Sequence, residues 1–326
     1  MLQTKVTEML KIRYPIIAGT MMNITTPSFV AACSNAGGLG ILASAMYQSP
    51  DDLRAAIQET QSLTDKPFAV NVNLFPMLQP VNQLDYIKVI IEEGVPIIET
   101  SGHKAPEEYV PIFKDAGALW IHKCAGVRYA KTAARLGADM VTVVGYENGG
   151  ATGRLDIGTL VLIPSVVDAV DIPVIGGGGI SDGRGLLAAL ALGAGAAILG
   201  TRMMATTECP IHADLKQEFV KATELDTVLI MRSVGATHRV WNNQAAQNVL
   251  ELEKNKAEPG DIFQAAAGAI AKEMYETGET NLGIVSCGQG TGLISDVIPV
   301  QELFDRIVKE AETICRGLSG LNDYSI

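Results

Sequence analysis

A closed eight-stranded α/β barrel, (β/α)8, with a helical insertion after the eighth strand is the fold that three features of this sequence predict. Short apolar runs recur through the first two thirds of the chain, segments with helical spacing separate them, and the two kinds alternate without a break.

The apolar runs fall at 15–19 (PIIAG), 38–42 (GLGIL), 67–73 (PFAVNVN), 96–100 (PIIET), 118–122 (ALWIH), 139–145 (DMVTVVG), 173–177 (PVIGG) and 196–200 (AAILG). They lack polar/apolar alternation, as parallel strands covered on both faces do. Helical spacing occupies 27–36, 50–62, 81–93, 126–136, 159–169 and 183–192. Ser49-Pro50-Asp51-Asp52 opens a helix acid-first, while Asn35-Ala36-Gly37-Gly38 and Leu136-Gly137-Ala138 close helices with glycine. About eight strand–helix units, roughly 25–30 residues apart, match a TIM barrel and exceed what an open doubly wound sheet usually carries. Beyond residue 210 the pattern turns to helices with polar connections, notably 213–223 and 262–277. The expected organisation is a barrel over 1–210, a helical insertion across its mouth over 211–290, and a closing amphipathic helix with the C-terminus over 291–326.

Composition narrows the function. The chain has 326 residues, 48% hydrophobic and 19% charged, which supplies a large core and excludes a disordered chain. A formal charge of −11 with no Lys/Arg run argues against nucleic acid as a partner. Cys33, Cys124, Cys209, Cys287 and Cys315 form no CxxC pair, so zinc and thioredoxin readings fail, and reduced thiols in a cytoplasmic protein are expected. Residues 1–8 lack the layout of a signal peptide, and every apolar stretch breaks before the roughly 18–20 residues of a membrane span. The expectation is a soluble enzyme of small molecules with no metal site, and a homodimer as the base-rate assembly.

In such a barrel the chemistry gathers at the carboxyl ends of the strands. The strongest cluster is Gly176-Gly177-Gly178-Gly179, followed by Asp182-Gly183-Arg184-Gly185, at the seventh strand, with Gly200-Thr201-Arg202 at the eighth. Consecutive glycines let backbone N–H groups converge on an oxyanion, and the helix beginning just after them is expected to add its positive end, so these loops read as a phosphate site. Gly38-Leu39-Gly40 imitates a dinucleotide fingerprint but precedes a strand instead of following one, and is set aside. Asn71 and Asn73 share a face of the third strand, suited either to a polar heterocycle or to internal hydrogen bonds. Lys123 ends an apolar strand and needs an anionic or carbonyl partner, whereas His122 beside it points outward. His103, His212 and His238 show no metal spacing and read as structural or exposed. Gly149-Gly150 and their neighbours suggest a loop lying flat against a ring system, and Met21 and Met22 suit either an apolar ledge or a place in the core.

Taken in order, Gly19-Thr20-Met21, Ala36-Gly37-Gly38-Leu39-Gly40, Val70-Asn71-Val72-Asn73-Leu74, His122-Lys123-Cys124, Gly149-Gly150, the glycine run and Gly200-Thr201-Arg202 resemble the FMN-dependent nitronate monooxygenase family. That family also holds NAD(P)H:quinone reductases and FabK-type enoyl-acyl-carrier-protein reductases. The stretch 201–212, with Ile230-Met231-Arg232-Ser233 and Asn281-Leu282-Gly283-Ile284, is most similar to the quinone reductase branch. The resemblance implies FMN beside Thr20, Met21 and Met22, touched by Asn73 and Lys123, lying against Gly149, with its phosphate on Gly177, Gly178, Gly179, Gly200 and Thr201. It implies reduction of a quinone or enoyl acceptor by NADH or NADPH, or else oxidation of alkyl nitronates with oxygen; a flavin-binding barrel without turnover is the further alternative. One departure stands out. The family's glycine loop ends in a histidine taken as the base for nitroalkanes, and here that position is Ala151, which cannot accept a proton. Tyr146, Glu147 and Thr152 are the nearby candidates to replace it, and the catalytic residue stays unassigned.

Overall fold

A computed structural model of the chain describes residues 2–74, 82–102, 104–153, 155–267 and 269–319. Eight parallel strands form the barrel: β1 (Ile16–Ala18), β2 (Gly40–Ala43), β3 (Phe68–Asn73), β4 (Ile97–Ser101), β5 (Leu119–Cys124), β6 (Met140–Val144), β8 (Val174–Gly177) and β9 (Ala196–Leu199). They pair in the order β1-β9-β8-β6-β5-β4-β3-β2, and a parallel bridge from Ile17 to Leu39 closes the ring. The three remaining strands, β7 (Gly150–Ala151), β10 (Thr227–Ile230) and β11 (His238–Trp241), make a separate antiparallel sheet in the order β10-β11-β7.

Residue parity along the strands explains both layers. Ile17, Ile41, Ala69, Ile97, Ile121, Met140, Ile175 and Ala196 form one apolar cluster inside the barrel, joined from below by Val6 and Leu10 of the N-terminal helix Lys5–Leu10. The alternate residues, among them Val70, Ile98, Trp120, Val141 and Val174, pack outward in the larger cluster between strands and helices. Two residues further along β3, β4, β5 and β6 the interior turns polar, with Asn71, Glu99, Lys123 and Thr142 replacing the apolar layer. That change of character marks the mouth.

The segment expected to be a helical insertion is a mixture. It contains the helices Ala213–Lys221, Gln244–Lys254, Pro259–Ala265 and Ala269–Thr277, but also the β10–β11 hairpin. Helical periodicity gives no sign of this hairpin, whose Ile230 and Val240 form a small core of their own with Ala246, Val249 and Ile262. Phe219 and Trp241 pack with ring centroids 4.8 Å apart and planes tilted by 48°. The closing helix, Val300–Ser319, packs on the helix Gly183–Ala191. Among the described residues no helix is long and apolar enough to cross a membrane.

Candidate active site

The mouth is built from the polar layer upward. Glu99, 1% exposed, accepts from Asn71 Nδ2 at 2.6 Å and from Thr20 Oγ1 at 3.0 Å. Thr20 and Asn71 are thereby held from below. Asn73, one layer higher, is half-buried, and its carbonyl accepts from Gln83 Nε2. Glu99 was not singled out from the sequence, although a carboxylate two residues past Ile97 in an apolar run was a visible signal.

Lys123 and Thr142 are register partners on β5 and β6 and share the inward face. Lys123 is half-buried and, among the described residues, its side chain has neither a hydrogen bond nor an ion pair. The Thr142 hydroxyl is buried with no partner. An uncompensated cation beside an orphaned hydroxyl is costly unless a ligand completes it. His122, on the opposite face of β5, is buried in the outer layer with Nδ1 2.9 Å from Thr100 Oγ1. His103 lies outside the described residues.

The glycine run ends β8 in two left-handed residues, Gly178 (φ 109°) and Gly179 (φ 70°). A Cβ on Gly178 would sit 2.5 Å from Thr159 Oγ1, so only glycine fits this turn. Across from it Gly200 has open space on its Cβ side and precedes the short helix Thr201–Met204. Thr201 Oγ1 accepts from Gly288 N at 2.8 Å, which leaves the hydroxyl proton available. One expectation is corrected here. The helix Gly183–Ala191 does not offer its N-terminus to a ligand, because Asp182 caps Gly185 N and Glu310 takes Gly183 N at 2.8 Å. What remains of the two expected loops is the Gly178–Gly179 turn and Gly200–Thr201.

The loop after β6 is pinned by the insertion. Gln289 N donates to Glu147 O, and a Cβ on Gly149 would lie 2.6 Å from the Cys287 carbonyl carbon. Gly149 is therefore explained by the close approach of residues 287–288, not by a flat ring alone. Met21 is half-buried against the core and Met22 is 49% exposed, as a ledge beside the mouth would be. Of the three candidate replacements for the missing histidine, Glu147 and Tyr146 are engaged elsewhere, and the Thr152 hydroxyl is buried without a hydrogen-bond partner. Glu147 accepts from Thr159 N and Thr159 Oγ1 as a helix cap, and Tyr146 lies under the Arg239 guanidinium at 4.5 Å. Cys33, Cys124, Cys209 and Cys287 are buried free thiols, and among the described residues no cluster of metal-binding side chains occurs.

The residues present fit a flavin nucleotide: an anion-binding glycine turn, an open cradle opposite it, a lone cation and an apolar ledge share one mouth. Comparison with known proteins agrees. The chain matches the family model described as nitronate monooxygenase over residues 3–310. A Rhodococcus jostii protein named as a (3aS,4S,5R,7aS)-5-hydroxy-7a-methyl-1-oxo-octahydro-1H-indene-4-carboxyl-CoA dehydrogenase is 35% identical, covering 95% of this chain and 96% of the relative. A probable nitronate monooxygenase of Staphylococcus saprophyticus is 30% identical over 96% of this chain and 99% of its own. Among solved structures, FabK from Thermotoga maritima superposes with a TM-score of 0.91 at 37% identity, covering 98% of this chain and all of that one.

Proposed function

Because the chain belongs to the nitronate monooxygenase family of flavin-dependent oxidoreductases, we propose that it holds FMN at the barrel mouth and passes electrons from NADH or NADPH to an enoyl-type or quinone acceptor. The observation that carries this reading is the unpartnered Lys123 beside the orphaned Thr142 hydroxyl, facing the mouth where the two glycine turns meet. Bound FMN would supply the hydride chemistry, and the protein supplies binding, orientation and protection from water.

On this reading Gly177, Gly178, Gly179, Gly200 and Thr201 hold the phosphate through backbone N–H groups and one hydroxyl. Lys123 and Asn73 hold polar atoms of the ring, Met21 and Met22 cover its apolar edge, and Gly149 backs it. Residues 211–290 form the unit that shapes the acceptor pocket. The likeness to FabK and to a dehydrogenase named for a CoA ester favours a thioester-activated acceptor over a quinone. Four buried free thiols, Cys33, Cys124, Cys209 and Cys287, suit a reducing, cytoplasmic compartment.

A second reading, oxidation of pre-formed nitronates by oxygen, is favoured by the Staphylococcus relative's name and is compatible with Ala151, since a nitronate has already lost its proton. The test is an anaerobic spectrum of the purified flavoprotein before and after NADH or NADPH. Bleaching faster than that of free FMN is expected. A flavin that neither nucleotide bleaches, together with oxygen uptake on propionate 3-nitronate, would transfer the assignment to the second reading.

A further inference from the structure

The residue directly across from Ala151 is a histidine. β7 and β11 run antiparallel with His238 opposite Ala151 and Arg239 opposite Gly150. Residues paired in this way place their side chains on the same face, with Cβ atoms about 4.5–5.5 Å apart. Thr152 N donates across to Thr237 O at 3.1 Å, which holds the register, and within the loop Asn148 Nδ2 donates to the Ala151 carbonyl at 3.0 Å. On its other side His238 pairs with Ile230, so it stands in the central strand of three. The Ala151 methyl is exposed and the His238 side chain is half-buried, so the face they share is open. A Cβ on Gly153 would lie 3.4 Å from Ala125 O, which sets this strand pair beside the end of β5, the strand that delivers Lys123.

We propose that His238 is the proton acceptor of this active site, carried in on the insertion and presented across the strand pair at the place where Ala151 has no functional group. The proposal rests on the flavin-site reading above and deepens it. Burial pulls the imidazole below its ordinary value, the Ala236 backbone carbonyl opposes this by holding the ring N–H, and no charged side chain contributes. The ring is neutral at neutral pH, with one nitrogen's lone pair free to act as a base. Its substrate is a carbon acid, a C–H bond activated by a neighbouring nitro group or thioester carbonyl. That C–H bond breaks, its electron pair stays on the substrate as a nitronate or enolate, and the proton forms a new N–H bond on the imidazole. The step consumes no oxidant, and the imidazolium returns its proton to water.

The probe is nitroethane, with exchange of the protons next to the nitro group followed by NMR in deuterated water on the flavin-loaded protein. The wild type accelerates exchange, His238→Gln loses about 10²–10⁴-fold of that acceleration, and Ala151→His combined with His238→Gln regains part of it. A readout independent of turnover is the His238 ring resonance, identified by its loss in the variant, which titrates with a midpoint below that of an exposed histidine. His238→Asn carries the same test should His238→Gln retain less flavin than the wild type. Exchange as fast in both variants as in the wild type, or no acceleration by the wild type, overturns the assignment. Failure of NADH and NADPH to bleach the wild-type flavin removes the reductase reading and leaves this experiment intact.

Discussion

Asn71 donates to Glu99 inside the barrel at 2.6 Å, and the same carboxylate oxygen receives Thr20 from the loop after β1. One buried carboxylate thus fastens β3 and the first loop to β4, directly beneath the proposed ring site. Glu99→Leu takes the acceptor from half-buried Thr20 and leaves buried Asn71 only its 3.3 Å bond to Ser101 Oγ, at up to about 1–3 kcal/mol for each group. Urea unfolding is expected to show a loss of about 2–4 kcal/mol. Asn71→Leu added to Glu99→Leu recovers part of it, since removing both partners is cheaper than stranding one. A double variant no more stable than Glu99→Leu would mean that this hydrogen bond does not account for the loss.

The two glycine turns give opposite expectations. Alanine at 178 would have to adopt φ 109° with its methyl 2.5 Å from Thr159 Oγ1 and 2.9 Å from Gly145 N. The backbone conformation alone costs about 1–3 kcal/mol, so Gly178→Ala is destabilised in urea whatever the ligand. Gly200 has φ −114° and nothing within 4 Å of its Cβ position. Gly200→Ala is therefore expected to keep its stability within about 0.5 kcal/mol. Its methyl enters the proposed phosphate cradle, and affinity for FMN should fall by about tenfold or more, equivalent to about 1.4 kcal/mol. Flavin fluorescence quenching measures this, and an unchanged Kd for Gly200→Ala would put the phosphate elsewhere.

The barrel was legible because its signals are local. Each strand is a short apolar run, each helix begins or ends on its own capping residues, and the glycine run carries its conformational meaning with it. Lys123 was legible for the same reason, as a charge at the end of an apolar strand. What the sequence did not show depends on partners far along the chain. The β10–β11 hairpin takes its third strand from Gly150–Ala151, nearly ninety residues before the partners in β11, and helical periodicity in its neighbours masks it. His238 acquires meaning only from that register. The first N–H of the helix after the glycine run is taken by Glu310, from the last helix, a partner more than a hundred residues away that local sequence does not reveal.

His122 should control stability in acid. It is 1% exposed, and Thr100 Oγ1 lies 2.9 Å from its Nδ1 while accepting from Trp120 Nε1 at 2.8 Å. The Thr100 hydroxyl hydrogen is then free to point at Nδ1, an arrangement that requires a neutral acceptor nitrogen. Burial pulls the imidazole from 6.5 down to about 4. With the folded value below the unfolded one, the unfolded chain takes up the proton first as pH falls. The contribution is fully present above about pH 6.5 and is lost as pH falls through about 4. Integrated over that window it amounts to about 3 kcal/mol. His122→Gln removes the titrating group, so between pH 7 and pH 4.5 the wild type should lose about 2–3 kcal/mol more than the variant in urea unfolding. Carboxylates titrating in the same range act on both proteins and cancel in the difference. Equal losses would show that His122 accepts a proton in the folded state as readily as in the unfolded one, and that the Thr100 hydroxyl does not hold it neutral.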